Sequence, residues 1–192
     1  MQITLNHEVM RLVKRGLFVG RFQPFHLGHL QAIKTALEKV EELVIVIGSS
    51  QRSHEIDNPF TTGERTEMIY KALSEAGIER TRYYTVPVPD CEMHTTWVSV
   101  VRTLSPRFDI VFSNEPLTRR LFKEEGYKIM GIQLYERNLY SATEIRKRML
   151  AGKNWEELVP KSVATYIKEI KGIQRLLELT KTDKPSSELR KV

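Results

Sequence analysis

The sequence predicts a doubly wound α/β domain, a parallel sheet with helices on both faces followed by C-terminal helices, and three observations predict it. Strand-like apolar runs alternate with helix-spaced segments from residue 17 to residue 135. The run LVIVIGS at 43–49 is apolar and β-branched without a break, as a strand covered on both faces requires. The first strand-to-helix junction, GRFQPFHLGHL at 20–30, gathers an arginine, two glycines and two histidines where open parallel sheets bind ligands.

The elements follow in order. LFVG at 17–20 is a strand, a Pro-containing turn follows, and Ile33, Leu37 and Val40 continue at helical spacing from Leu30. After the second strand at 43–49, NPFTTGER at 58–65 has turn chemistry. It opens a helix whose stripe is Met68, Ile69, Ala72, Leu73 and Ala76, stopped by Gly77. Thr61 and Glu64 have capping-box spacing, and Arg65 reads as a solvent-exposed or salt-bridging helix residue. RYYTVPV at 82–88 is the third strand, 95–104 a short helix ending before Pro106, and DIVFSN at 109–114 the fourth strand. Pro116 starts a helix that runs to Gly126, and KIMGIQLY at 128–135 is the fifth strand.

Two helices, 141–150 and 162–179, fall outside the alternation. The second carries Val163, Tyr166, Ile167, Ile170, Ile173, Leu176 and Leu177 on one face, to be packed on the sheet or on a neighbouring subunit. The chain divides into an N-terminal extension (1–16), the α/β domain (17–150), a C-terminal helical segment of the same domain (151–180) and a flexible polar tail (181–192), with residues 1–9 expected to be dispensable.

Composition narrows the function. No window approaches the eighteen or so unbroken apolar residues of a membrane span, and the first residues lack the apolar core and cleavage site of a signal peptide, so a cytoplasmic protein is expected. Cys91 is the single cysteine, which excludes an internal disulfide and a cysteine-rich metal site. The net charge of +6 suits an anionic partner, but no run of five like charges and no basic recognition helix appears, so nucleic-acid binding is a remote reading.

Residues 20–30 have the chemistry of a phosphate site. His26 and His29 share one face of a helix start, Gly28 between them removes a side chain, and Arg21 adds a guanidinium fork. The plainer alternative is that the histidines only cap the helix. Ser141 and Glu144 likewise have capping-box spacing, yet a cap alone does not require Thr143 and Arg146 beside it. Arg52 and His54 stand where they could approach phosphates or simply occupy a surface loop. Trp97 can pack in the core with Val98 and Val101, and Asn114 can contact a nucleotide or cap the helix at Pro116. Zinc held by His26, His29 and His54 in a hydrolase is a further rival, weakened by the absence of HExxH.

These stretches also carry a resemblance. GRFQPFHLGH is similar to the HxGH signature of the nucleotidyltransferase superfamily and, in its longer form, to archaeal-type nicotinamide mononucleotide (NMN) adenylyltransferases. YSATEIRKRM at 140–149 resembles the superfamily's second signature, ISxTxxR, with Ser141, Thr143 and Arg146 matching and Tyr140 in place of isoleucine. GSSQRSHEIDNPFTTGER at 48–65 and VPDCEMHTTW at 88–97 resemble further segments of the archaeal family, so the likeness spans residues 17 to about 175.

The resemblance implies a Rossmann-like nucleotidyltransferase fold and adenylyl transfer from ATP to NMN, giving NAD and pyrophosphate. ATP would be bound by Gly20, Arg21, Phe22, His26, Gly28, His29, Ser141, Thr143 and Arg146, with catalysis by His26, His29, Arg21 and Arg146. Asp90 would touch the NMN moiety and Trp97 stack on its nicotinamide ring, with Asn114 the third NMN-side candidate. Mg²⁺ would be carried by the ATP phosphates, without a protein metal cluster. Nicotinic acid mononucleotide is the nearest alternative acceptor, and FMN, phosphopantetheine or glycerol phosphate are acceptors of related adenylyl or cytidylyl transferases. The resemblance further implies a homo-oligomer, often a hexamer in this family, with no nucleic acid or membrane as partner.

Overall fold

Alternation along the second strand shows how the molecule is layered. Leu43, Ile45 and Ile47 point into one buried cluster and Val44 and Val46 into another, so this strand is covered on both faces. A computed structural model describes residues 15–132 and 140–181. Its sheet has five parallel strands, β1 (Arg15–Gly20), β2 (Glu42–Ile47), β3 (Tyr83–Pro87), β4 (Ile110–Phe112) and β5 (Lys128–Met130), in the order β3-β2-β1-β4-β5. The expected doubly wound α/β sheet is therefore present. Chain direction across the sheet reverses between β1 and β4, the crevice where such sheets take ligands.

One face is covered by α1 (Leu27–Leu37) and α2 (Thr62–Glu75), and the other by α3 (His94–Leu104) and α4 (Pro116–Glu124). The C-terminal helices α5 (Ala142–Leu150), α6 (Lys161–Glu169) and α7 (Gly172–Glu178) join the α1–α2 side, with Ile145, Met149, Val163, Ile167 and Leu176 in the same buried cluster as Ile33 and Met68. Thr61 and Glu64 cap α2 reciprocally, as their spacing predicts, and Gly77 ends it at φ 71°.

Two expectations need correction. The single helix at 162–179 is two, because Lys171 adopts φ 54° and turns the chain. Gly172 after it lies against Phe60, and a Cβ there would come within 2.7 Å of that ring. The fifth strand stops at Met130; Gly131 and Ile132 leave the sheet, and residues 133–135 of the expected strand lie outside the described residues. The expected extension and tail lie outside them too, save Arg15 and Gly16, which begin β1, and Lys181.

Candidate active site

The HxGH spacing builds a helix start of an unusual kind. His26 is the N-cap of α1 and His29 its third residue. The His29 amide donates to His26 Nδ1 and the His26 amide donates to His29 Nδ1, each at 3.3 Å. The caps of the plainer alternative thus exist, but they leave both Nε2 atoms outside the capping interaction. Each Nδ1 accepts a bond, so each neutral ring carries its proton on Nε2 as a donor. The rings stack with centroids 3.6 Å apart, and Gly28 makes room: a Cβ there would lie 3.0 Å from His26 Nδ1. Burial lowers the His26 pKa to about 3, and burial plus the neighbouring His26 holds His29 well below the usual imidazole range.

These rings line a cavity of about 310 Å³ with Arg21, Phe22, Gly28, Asn114, Tyr140, Ser141, Thr143 and Arg146. The two signature segments, over a hundred residues apart in the chain, therefore meet at one site. Ser141 caps α5 by accepting the Glu144 amide, and the helix start faces the cavity. The expected reciprocal box is only half made, since the Glu144 carboxylate accepts from Arg148 at 3.0 Å instead. Arg146 is buried; its Nη1 donates to the Gln23 carbonyl at 3.0 Å and its Nη2 to Asp57 at 2.6 Å. Burial lowers the Arg146 pKa, with Asp57 opposing that effect.

A second cavity, about 600 Å³, is lined by Gly20, Ser49, Asp90, Cys91, His94, Trp97, Leu117 and Thr118. Val19, Arg21 and Glu115 line both cavities, so the two lie side by side at the β1–β4 crevice. Asp90 is exposed and held from behind, accepting from Ser49 Oγ at 3.0 Å and from Gln51 Nε2 at 3.3 Å. Trp97 packs as its core reading expects and also borders the cavity. Its ring edge packs on Phe122 and its Nε1 donates to the Pro89 carbonyl.

Residues 17–148 match the cytidylyltransferase-like family. The chain is 53% identical over 174 residues to the nicotinamide-nucleotide adenylyltransferase of Pyrococcus horikoshii, covering 91% of this chain and 92% of that one. It belongs to the nicotinamide-nucleotide adenylyltransferase family. The adenylyltransferase of Saccharolobus solfataricus is 51% identical over 172 residues, covering 90% of this chain and all of that one. Among solved structures, a bifunctional NMN adenylyltransferase/ADP ribose pyrophosphatase from Francisella tularensis, complexed with AMP and a manganese ion, superimposes with a TM-score of 0.72 at 26% identity. That match covers 86% of this chain and 52% of the other, so this adenylyltransferase-family chain corresponds to about half of the bifunctional one.

Several residues of this family member sit differently from what sequence suggests. Arg65, expected at the surface, is fully buried. Its Nη1 donates to the carbonyls of Arg21 and Gly48 and its Nη2 to that of Ser49, tying together the ends of β1 and β2 beneath both cavities. Burial lowers its pKa to about 10, with Arg21 adding to the lowering and Asp90 opposing it, so it stays charged at neutral pH. Gln23 is a second unforeseen anchor. It exchanges two 2.9 Å bonds with the Phe60 backbone, while its own carbonyl receives Arg146.

Asn114 lines the histidine cavity rather than the Asp90–Trp97 cavity, and its amide exchanges bonds with the Ile132 backbone; the cap of α4 is Glu115. Gly20 lines the Asp90–Trp97 cavity, where its missing Cβ leaves space for the Phe22 ring. Arg52 pairs with Glu55 and His54 bonds Ser53, and neither lines the two cavities.

Proposed function

We propose that this chain transfers the adenylyl group of ATP to NMN, giving NAD and pyrophosphate. The observation that carries this reading is the pair of cavities meeting at Arg21. One is lined by hydrogen-bond donors suited to a triphosphate and the other by a tryptophan and a carboxylate suited to a cationic pyridine ring. Membership of a family whose curated relatives bear the adenylyltransferase name supports NMN over the other phosphorylated acceptors.

In this proposal the NMN phosphate oxygen attacks the α-phosphorus of ATP in line. A new P–O bond forms, the bond to the β-bridging oxygen breaks, and pyrophosphate leaves with that electron pair. The attacking phosphate has a second pKa of about 6 and needs no general base. Arg21, shared by both cavities, bridges the reacting phosphates, and His26 and His29 donate Nε2–H bonds to the developing charge as neutral groups. Ser141, Thr143 and Arg146 take the β- and γ-phosphates, Phe22 and Gly28 shape the walls of the ATP cavity, and Asp90 and Trp97 hold the nicotinamide ribotide in the cavity that Gly20 lines.

The ATP cavity sets two guanidinium groups, Arg21 and Arg146, against one carboxylate, Glu115, so a divalent cation fits best on the phosphates themselves. Bound there, Mg²⁺ would supply charge neutralisation for the leaving pyrophosphate. No helix among the described residues is long and apolar enough to cross a membrane. The proposal also includes a cytoplasmic homo-oligomer, supported by exposed apolar side chains such as Tyr70 and Leu104, which sizing in solution tests.

The direct test is pyrophosphate release with ATP and Mg²⁺ when NMN, nicotinic acid mononucleotide, FMN, phosphopantetheine and glycerol phosphate are offered separately. NMN should turn over to NAD. His29→Ala should lower kcat by about 100- to 1000-fold, the usual cost of one transition-state donor. Turnover with a different acceptor alone would overturn the assignment of Asp90 and Trp97.

A further inference from the structure

Arg146 is paired with an anion that the chain itself supplies. Its side chain is 5% exposed and that of its partner Asp57 is 73% exposed, so in this pair the arginine is fixed and the carboxylate is the member free to leave. Two features hold the arginine in place without Asp57: burial among the donor-cavity residues and the 3.0 Å bond from Nη1 to the Gln23 carbonyl. The other terminal nitrogen, Nη2, donates to Asp57 Oδ1 at 2.6 Å.

The position of Asp57 is built. Glu55 and Asn58 close a tight turn, with the Glu55 amide donating to the Asn58 carbonyl at 3.2 Å and the Asn58 amide donating to the Glu55 carbonyl at 3.0 Å. The Asn58 side chain is buried and donates Nδ2 to the Glu55 carboxylate at 3.0 Å, and Arg52 donates to the same carboxylate from outside. The two residues at the tip are Ile56 and Asp57. A rigid turn thus presents one carboxylate to the guanidinium that faces the donor cavity.

We infer that Asp57 is a resident competitor for the terminal phosphates of ATP and for product pyrophosphate at Arg146, setting how tightly the site holds them. The inference rests on the proposed placement of those phosphates at Arg146. A phosphate oxygen arriving at Nη2 meets a carboxylate already within hydrogen-bond reach of the same nitrogen, and two anions there repel each other. Phosphate binding therefore requires Asp57 to swing into solvent, and its return to Arg146 favours departure of pyrophosphate. Solvent around the exposed Asp57 carboxylate screens its hold on Arg146, so the expected change is about two- to fivefold in affinity.

The test is calorimetric titration of inorganic pyrophosphate, with Mg²⁺ fixed, into the full-length wild type and Asp57→Asn, Asp57→Ala, Arg146→Ala and the Asp57→Ala/Arg146→Ala double variant. Both Asp57 variants should bind pyrophosphate about two- to fivefold more tightly, and pyrophosphate should inhibit their turnover at proportionately lower concentration. The gain should vanish when Arg146 is alanine. Unchanged or weaker binding in the Asp57 variants would overturn the inference, as would a gain that persists without Arg146, which would mark a general charge effect. Arg146→Ala should itself weaken binding at least tenfold; if it does not, the placement of the phosphates fails rather than the competitor idea alone.

Discussion

The two cavities at the β1–β4 crevice are made in different ways. In the histidine cavity the polar groups are tied to backbone: each imidazole caps an amide of the other's residue, Arg146 holds the Gln23 carbonyl, and Ser141 caps α5. In the larger cavity the central carboxylate, Asp90, is exposed and steadied by the side chains of Ser49 and Gln51. The difference teaches that the histidine cavity, the proposed phosphate half, is inseparable from the fold, since removing one of its polar side chains also removes a cap or a carbonyl partner. In the proposed acceptor half Asp90 is mounted on a finished scaffold, so it can change with less cost to folding than the histidines.

Arg65 is where this contrast can be broken most forcefully, because it lies beneath both halves. Arg65→Met leaves the carbonyls of Arg21, Gly48 and Ser49 without their buried donor and should cost about 2–4 kcal/mol of stability in denaturant melts. The KM values for ATP and NMN should rise together. A change in only one of them would show that the two cavities are not set by a common support. Trp97→Ala sharpens the contrast from the acceptor side. Loss of a stacking ring is worth about 1–3 kcal/mol, so KM for NMN should rise roughly 5- to 100-fold while KM for ATP stays within about twofold.

The histidine half adds a pH dependence of stability. The His26 pKa is 6.5 in an exposed chain and about 3 in the folded site, so between those values the unfolded chain binds the extra proton. Its contribution is complete above pH 6.5 and declines as the pH falls toward 3, by at most about 1.4 kcal/mol per pH unit. His26→Asn keeps a capping oxygen and should flatten this slope in melts recorded between about pH 4 and 7. An unaltered slope would assign the acid sensitivity to other groups.

The strands were legible because a doubly covered sheet leaves apolar runs, and the histidine pair because few structural needs place His, Gly and His at one helix start. Arg65 was not legible from its charge, though its spacing held the clue: it stands three and four residues before Met68 and Ile69, on the same stripe that faces the core. The break at Lys171 was hidden because the apolar stripe runs on through it, and only Gly172 inside an otherwise helical pattern pointed to it. Asn114 and Gly20 lie at the cavity boundary at the ends of β4 and β1, next to residues that line both cavities, Glu115 in one case and Val19 and Arg21 in the other. Sequence spacing carries no record of that boundary.

The bond between α7 and α2 bears on where the working unit ends. Arg175 donates to both oxygens of Glu64, at 2.7 and 2.8 Å, and to the Pro59 carbonyl. Glu64 caps the helix whose next residue is Arg65. The match to the broad family stops at residue 148, yet this mechanical linkage runs from residue 175 through Glu64 to the carbonyls of cavity-lining residues. A chain cut at 148 would keep every signature residue and lose the brace behind them, so the segment that carries the family's pattern is shorter than the one that holds it in shape.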